Sequence, residues 1–164
     1  MASLAELNEL PAGAARSALL EVCAAPGWAG AVLAGRPYTS ADELLASSDA
    51  AVTALTAGEL EQALAGHPRI GASISGRRWS AGEQAGAAAA DDQTRQALAD
   101  GNAAYEQKFG HIYLVCASGR TGPELLELLR TRLAHDAETE WRVVRCELKK
   151  INRTRLGRLT GGTG

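Results

Sequence analysis

The sequence predicts an all-α fold, a compact single-domain bundle of about seven to nine helices spanning residues 1–164, with a short extended segment near 109–117. Three observations lead there. The 164 residues are 46% hydrophobic but only 4% aromatic, so Ala and Leu, good helix formers that let helices approach closely, supply most of the core. Three Ser/Thr-x-x-Glu patterns, Thr56 to Glu59, Ser80 to Glu83 and Thr121 to Glu124, have the spacing of capping boxes at helix starts. Near the C-terminus, Trp141, Val144, Leu148 and Ile151 recur at three- and four-residue intervals, the period of a helix with one apolar face.

The elements follow in order from local punctuation. Residues 4–10 and 14–24 read as a short and a longer helix separated by Pro11-Ala12-Gly13, and Pro26-Gly27 closes the second. Residues 28–34 form a further apolar helix stopped by Gly35-Arg36-Pro37. Ser40 caps a helix over 42–46, and a separate one covers 48–55. The Thr56 box opens a helix to residue 65. Ser80 opens one that continues through the alanine run at 87–90, and 91–108 is a long helix with Leu98 and Tyr105 on one face. In Phe109-Gly110-His111-Ile112-Tyr113-Leu114-Val115-Cys116-Ala117, aromatic and β-branched residues cluster behind a glycine, which favours extended backbone. The Thr121 box, with Pro123 in its first turn, launches 125–134. The last helix starts at Asp136 and carries the apolar stripe; four residues beyond Ile151 the stripe reaches Arg155, which therefore points toward the core side. Residues 159–164, rich in glycine, read as a frayed tail.

Composition excludes several function classes. A formal net charge of -2 and a pI near 5.9 give no global attraction to nucleic acid or to an anionic membrane. The basic cluster Lys149, Lys150, Arg153, Arg155 and Arg158 lies at a helix end, where cations complement the macrodipole, and no aromatic residues interleave with it. No apolar run approaches membrane-spanning length, and the first ten residues lack the features of a secretory signal. Cys23, Cys116 and Cys146 are odd in number and widely spaced, which suggests neither a disulfide framework nor a metal site and fits a reducing cytoplasm.

Candidate chemistry concentrates at His67-Pro68-Arg69-Ile70-Gly71 and Ser80-Ala81-Gly82-Glu83-Gln84. Proline disfavours helical geometry in the residue before it, so His67 is expected at the extended edge of a connection. Glu83 falls in the first turn of a predicted helix whose N-terminus favours anions. An imidazole beside a carboxylate is the pairing that proton transfer needs. Arg155, costly to bury without a partner, would be satisfied by a bound carboxylate or by Glu83.

The ordered motifs Arg36-Pro37-Tyr38, His67-Pro68 with Gly71, Ser80-x-x-Glu83-Gln84-x-Gly86, Asn102-x-x-Tyr105-x-x-Lys108-Phe109-Gly110, Arg132-Leu133 and Lys150-Ile151-x-x-x-Arg155-Leu156 resemble those of the OHCU decarboxylase family. Its members convert 2-oxo-4-hydroxy-4-carboxy-5-ureidoimidazoline (OHCU) to (S)-allantoin and carbon dioxide in urate degradation. The resemblance implies a helical homodimer working without metal or organic cofactor, with a hydroxyisourate hydrolase as pathway neighbour. It places His67, Glu83 and Arg155 at catalytic positions. Pro68, Ser80, Ala81, Gly82, Glu83, Gln84, Tyr113, Leu114, Val115, Cys116 and Ala117 fall at substrate-binding positions. The alternative is a catalytically silent helical interaction module that keeps the same fold.

Overall fold

A computed structural model of the chain describes residues 3–71 and 80–162, with backbone alone at residues 80 and 81. Among the described residues there are ten helical segments and no strand: α1 (Leu4–Glu9), α2 (Ala12–Val22), α3 (Pro26–Ala34), α4 (Ala41–Ala54), α5 (Ala57–Ala65), α6 (Ser80–Glu83), α7 (Ala85–Ala88), α8 (Asp92–Phe109), α9 (Gly122–Leu133) and α10 (Ala137–Leu159). Eight are full helices; α6 and α7 are single four-residue turns. The chain divides into two compact units, residues 1–66 with 148–164 and residues 67–147. The α10 helix supplies residues to both. No described helix is long and apolar enough to cross a membrane.

In the first unit, α2 packs on α3 and α3 on α4, around fully buried Leu19, Trp28, Val32 and Val52. The Trp28 indole N–H donates to the Ser48 hydroxyl at 3.2 Å, and the Tyr38 hydroxyl bonds Ser47 at 2.8 Å. These two serines are why α4 is one helix rather than the two short ones expected. Serine in mid-helix competes for backbone hydrogen bonds, but here both hydroxyls are engaged by aromatic groups from elsewhere in the unit. Ser40 does cap the helix, accepting from the Glu43 N–H at 3.2 Å.

Two motif cations close helix ends in this unit. Arg36 Nη1 donates to the carbonyls of Leu7 at 2.6 Å and Leu10 at 3.0 Å, at the end of α1. Arg155 is 5% exposed, on the core side of α10 as its register predicts, and its Nη1 donates to the Val22 carbonyl, the last of α2, at 2.9 Å. Neither α1 nor α2 has a basic residue in its own last turn, so each arginine meets the negative end of another helix. Of the tail expected to fray, residues 163 and 164 lie outside the described residues. Gly161 is left-handed (φ 74°) and Gly162 N–H donates to the Gly157 carbonyl at 2.8 Å, a Schellman ending that needs glycine at that position.

In the second unit α8 packs along α9 over a core of Leu98, Tyr105, Tyr113, Leu125 and Leu129. The Thr56 and Thr121 capping boxes form as predicted, and a further box, Ser3 with Glu6, starts α1. At α6 the described helical residues begin with Ser80, whose side chain lies outside the described residues, as does the residue before it. The single helix expected from Ser80 through Ala90 instead breaks at Gln84 (φ -104°, ψ 17°). The stretch expected to be extended from residue 109 begins only at 112, because Phe109 ends α8 and Gly110 (φ 77°) supplies the left-handed cap.

Candidate active site

The second unit holds His67 and Pro68 just after α5, Glu83 and Gln84 at the α6–α7 junction, and Tyr113, Leu114, Val115, Cys116 and Ala117 in the connection between α8 and α9. His67 is 8% exposed and Glu83 9%, so both ionisable groups sit out of bulk water, where charge interactions are stronger than at a surface. Gly82 is exposed backbone, and Ser80 and Ala81 complete the α6 turn. Arg155 belongs to the other unit and is held there on Val22, as described above.

The turn carrying His67 is tied to its own unit by three side chains. Asn102 Nδ2 donates to the Ile70 carbonyl at 2.9 Å. Gln84 Oε1 accepts from the Gly71 N–H at 3.0 Å, which links the turn to the α6–α7 junction. Arg69 meets Glu106 through two parallel bonds, Nε to Oε1 at 2.5 Å and Nη2 to Oε2 at 3.0 Å. Gly71 has φ 79°, a conformation that strains other L residues.

The segment from Tyr113 to Ala117 has neither helix nor strand to satisfy its backbone, and Tyr113, Leu114, Val115 and Ala117 are buried. Buried backbone groups need partners, and charged side chains provide them. Arg132 Nη1 donates to the Leu114 carbonyl, and the Glu147 carboxylate accepts from the Cys116 N–H at 2.8 Å. Arg132 is itself paired in the interior with Glu140, its Nε donating at 2.6 Å, and the Tyr105 hydroxyl donates to the same carboxylate oxygen at 2.5 Å. His135 Nδ1 reaches the other oxygen at 3.1 Å. Burial works against ionisation of Glu140, but the bonds from Arg132, Tyr105 and His135 outweigh it and hold the carboxyl below its ordinary range. Burial pushes both the Tyr105 and Tyr113 phenols well above theirs. Among the described residues no three His, Cys, Asp or Glu side chains cluster as metal ligands.

The family model for OHCU decarboxylase matches residues 8–157, nearly the whole chain. The chain belongs to the OHCU decarboxylase family. A curated relative, the uric acid degradation bifunctional protein TTL of Arabidopsis thaliana, is 32% identical over 130 residues, covering 75% of this chain and 40% of the relative. This chain therefore spans less than half the length of that protein. Among solved structures, an OHCU decarboxylase crystallised in the presence of (S)-allantoin superposes with a TM-score of 0.76 at 24% identity, over 87% of this chain and 96% of the other. An (S)-allantoin synthase gives 0.71 at 20% identity, over 94% and 52%. At those identities the superpositions establish a shared fold.

Several OHCU decarboxylase motif residues have structural duties here. Arg36 closes α1, and Lys108 Nζ donates to the Leu133 and His135 carbonyls at 2.7 and 2.8 Å, at the end of α9. Asn102 and Arg132, named in the motifs without a role, turn out to hold the His67 turn and the Leu114 carbonyl. Sequence reasoning missed Glu106, Glu140 and Glu147 altogether. Each is an acid on a helix: the partners of Glu106 and Glu147 are 37 and 31 residues away, and those of Glu140 are five, eight and 35 away. Helical spacing reports only neighbours three or four apart.

Proposed function

We propose that this chain decarboxylates OHCU to (S)-allantoin, as a cofactor-independent carboxy-lyase acting in urate degradation. Family membership over residues 8–157 carries the reading. Burial of His67 and Glu83 in one unit, with Gln84 bonded to the turn that bears His67, supports the residue roles.

Loss of carbon dioxide leaves an electron pair on carbon, and without an organic cofactor the substrate must supply the sink. In OHCU the ring carbon–nitrogen double bond adjoins the carbon that bears the carboxylate. As that C–C bond breaks, its electron pair forms a ring C=C and the double-bond electrons move to nitrogen, giving an enol-like intermediate. Collapse of the enol hydroxyl to a carbonyl then places a proton on the ureido-bearing carbon. His67 is assigned as the general acid that delivers this proton from one face. Glu83 orients the imidazole or accepts the hydroxyl proton, and its charge disfavours the carboxylate more than neutral carbon dioxide. That contribution accelerates the reaction only in so far as the repulsion fades in the transition state. Arg155 is assigned to orientation, because too firm a hold on the departing carboxylate would stabilise the ground state. Gln84 and the backbone from Tyr113 to Ala117 are assigned to the ring and ureido amides by paired hydrogen bonds, and Pro68, Ser80, Ala81 and Gly82 to the remaining substrate contacts.

The proposed working form is a homodimer of this chain, one functional domain, in a reducing cytoplasm. A hydroxyisourate hydrolase would supply the substrate. The test generates OHCU in place from urate with urate oxidase and hydroxyisourate hydrolase, adds this protein, and follows the circular dichroism of allantoin. Rapid dextrorotatory (S) product is expected. Replacing His67 by Ala should lower the rate about 10²–10⁴-fold. Racemic product at the uncatalysed rate with the unaltered protein would refute the activity, and near-normal turnover by His67→Ala would refute the histidine's role.

A further inference from the structure

Pro68 and Ile70 flank a residue whose side chain reaches outward to α8. Arg69 is 59% exposed along its side chain and Glu106 27%, so their pair contributes little to global stability. Its geometry is nonetheless that of a fork meeting a carboxylate through two bonds, the arrangement that fixes direction as well as distance. Glu106 lies one helical turn beyond Asn102, which holds the next carbonyl of the same turn. One face of α8 therefore grips two successive residues of the segment that begins at His67.

The turn is not packed solid against that face. A cavity of about 230 Å³ is lined by Arg69, Ile70, Gly71, Arg95, Asn102 and Glu106. Ala99 and Ala103 of α8 and the Ile70 side chain give it an apolar floor, and Arg69, Arg95 and Glu106 supply charged groups at its rim. Ile70 anchors the turn in the core, whereas beside the cavity Arg69 is set by its two bonds to Glu106 rather than by close packing.

We propose that Arg69 is a positioning residue, whose bidentate pair with Glu106 clamps the His67–Gly71 turn against α8 and fixes the attitude of the His67 imidazole toward substrate. The inference rests on the decarboxylase reading above. Within the turn only Pro68 is also assigned to substrate, and Gln84 keeps its own bond to Gly71, so loss of Arg69 should fall mainly on the chemical step and only slightly on binding.

The experiment measures kcat, KM and Tm for the full chain and for Arg69→Ala, Arg69→Lys, Glu106→Ala and the charge-exchanged double variant Arg69→Glu with Glu106→Arg. OHCU is generated in place as before. Since ångström-scale misplacement of a reacting group can cost up to about 10²-fold, and Asn102 and Gln84 still hold the turn, Arg69→Ala should lower kcat about tenfold with KM within about twofold. Glu106→Ala should match it. Lysine, which lacks the fork, should restore kcat only in part. The exchanged pair should recover most of it, a result that simple loss of stability would not produce. If the parent protein is active, His67→Ala is inactive and Arg69→Ala keeps kcat within twofold, the clamp is overturned while the decarboxylase reading stands. The clamp also falls if kcat drops and the exchanged pair restores none of it. If the parent protein makes no (S)-allantoin, the reading beneath the clamp has failed instead.

Discussion

The residue with most at stake in the second unit is Glu140. It is fully buried, and its carboxylate takes bonds from Arg132, Tyr105 and His135, while Arg132 also holds the Leu114 carbonyl. Removing one partner of a buried pair strands the other charge, which typically costs about 3–5 kcal/mol, whereas replacing both with apolar groups of like size is far milder. Glu140→Gln should therefore lose about that much in urea denaturation, and adding Arg132→Met should recover part of the loss. A Glu140→Gln protein as stable as its parent would show that the cluster carries no net charge pairing. Of the proposed site, the sequence made His67, Pro68 and Glu83 visible, because proline and a helix-start pattern mark their positions locally. The groups that hold them were hidden for a physical reason. Glu106, Glu140 and Glu147 sit on exposed-looking helical stretches, and partners five, eight or more than thirty residues away leave no trace in a three- to four-residue spacing. Arg155 was legible in direction only: its register placed it on the buried face, but nothing local could show that the end of α2 would receive it.

At the scale of elements, the same division between near and far decides what could be read. Capping boxes at Thr56 and Thr121 lie within four residues and were recoverable; the break of α4 at Ser47-Ser48 was inferred wrongly, because Tyr38 and Trp28 engage those hydroxyls from other elements. The break at Gln84 was missed because its causes are tertiary. Gln84 is bonded to Gly71, and two residues on, Gly86 lies so close to the connection before α9 that an added Cβ would sit 1.8 Å from the Arg120 carbonyl oxygen. Backbone cannot yield to that contact as a side chain can. Gly86→Ala should destabilise the protein by about 2–3 kcal/mol, the upper part of the usual range for overpacking. It should also raise KM, since the displaced α7 turn carries Gln84 with it. Calorimetry and steady-state kinetics together check this. A variant with unchanged Tm would mean that α7 and the Arg120 connection are not in contact in solution.

For the molecule as a whole, the charged groups define a pH window. Glu6, Glu43, Glu59, Asp91, Glu124 and Asp136 have carboxyls held below their ordinary range chiefly by backbone N–H groups at helix starts. Glu140 is held below it against burial by its partners. In each case the unfolded chain binds protons more readily than the folded one. The stability they contribute is thus fully present above the ordinary values of 4.5 for Glu and 3.8 for Asp, and it drains away as pH falls through the lower folded values. The sign reverses at the alkaline edge. Burial raises the Tyr105 and Tyr113 phenols above the ordinary 10.0, so the folded state keeps those protons longer than the unfolded chain does, and stability declines once pH passes that value. Calorimetric Tm should therefore be nearly level from about pH 6 to 8, fall steadily below about 4.5 and fall again above about 10. The Glu140→Gln protein, already lacking the most deeply buried of these carboxylates, should start lower and show a shallower acid decline. If Tm stayed level or rose between pH 5 and pH 3, the helix-start carboxylates would not be bonded in solution as they are in the structure, the three capping boxes of α1, α5 and α9 included.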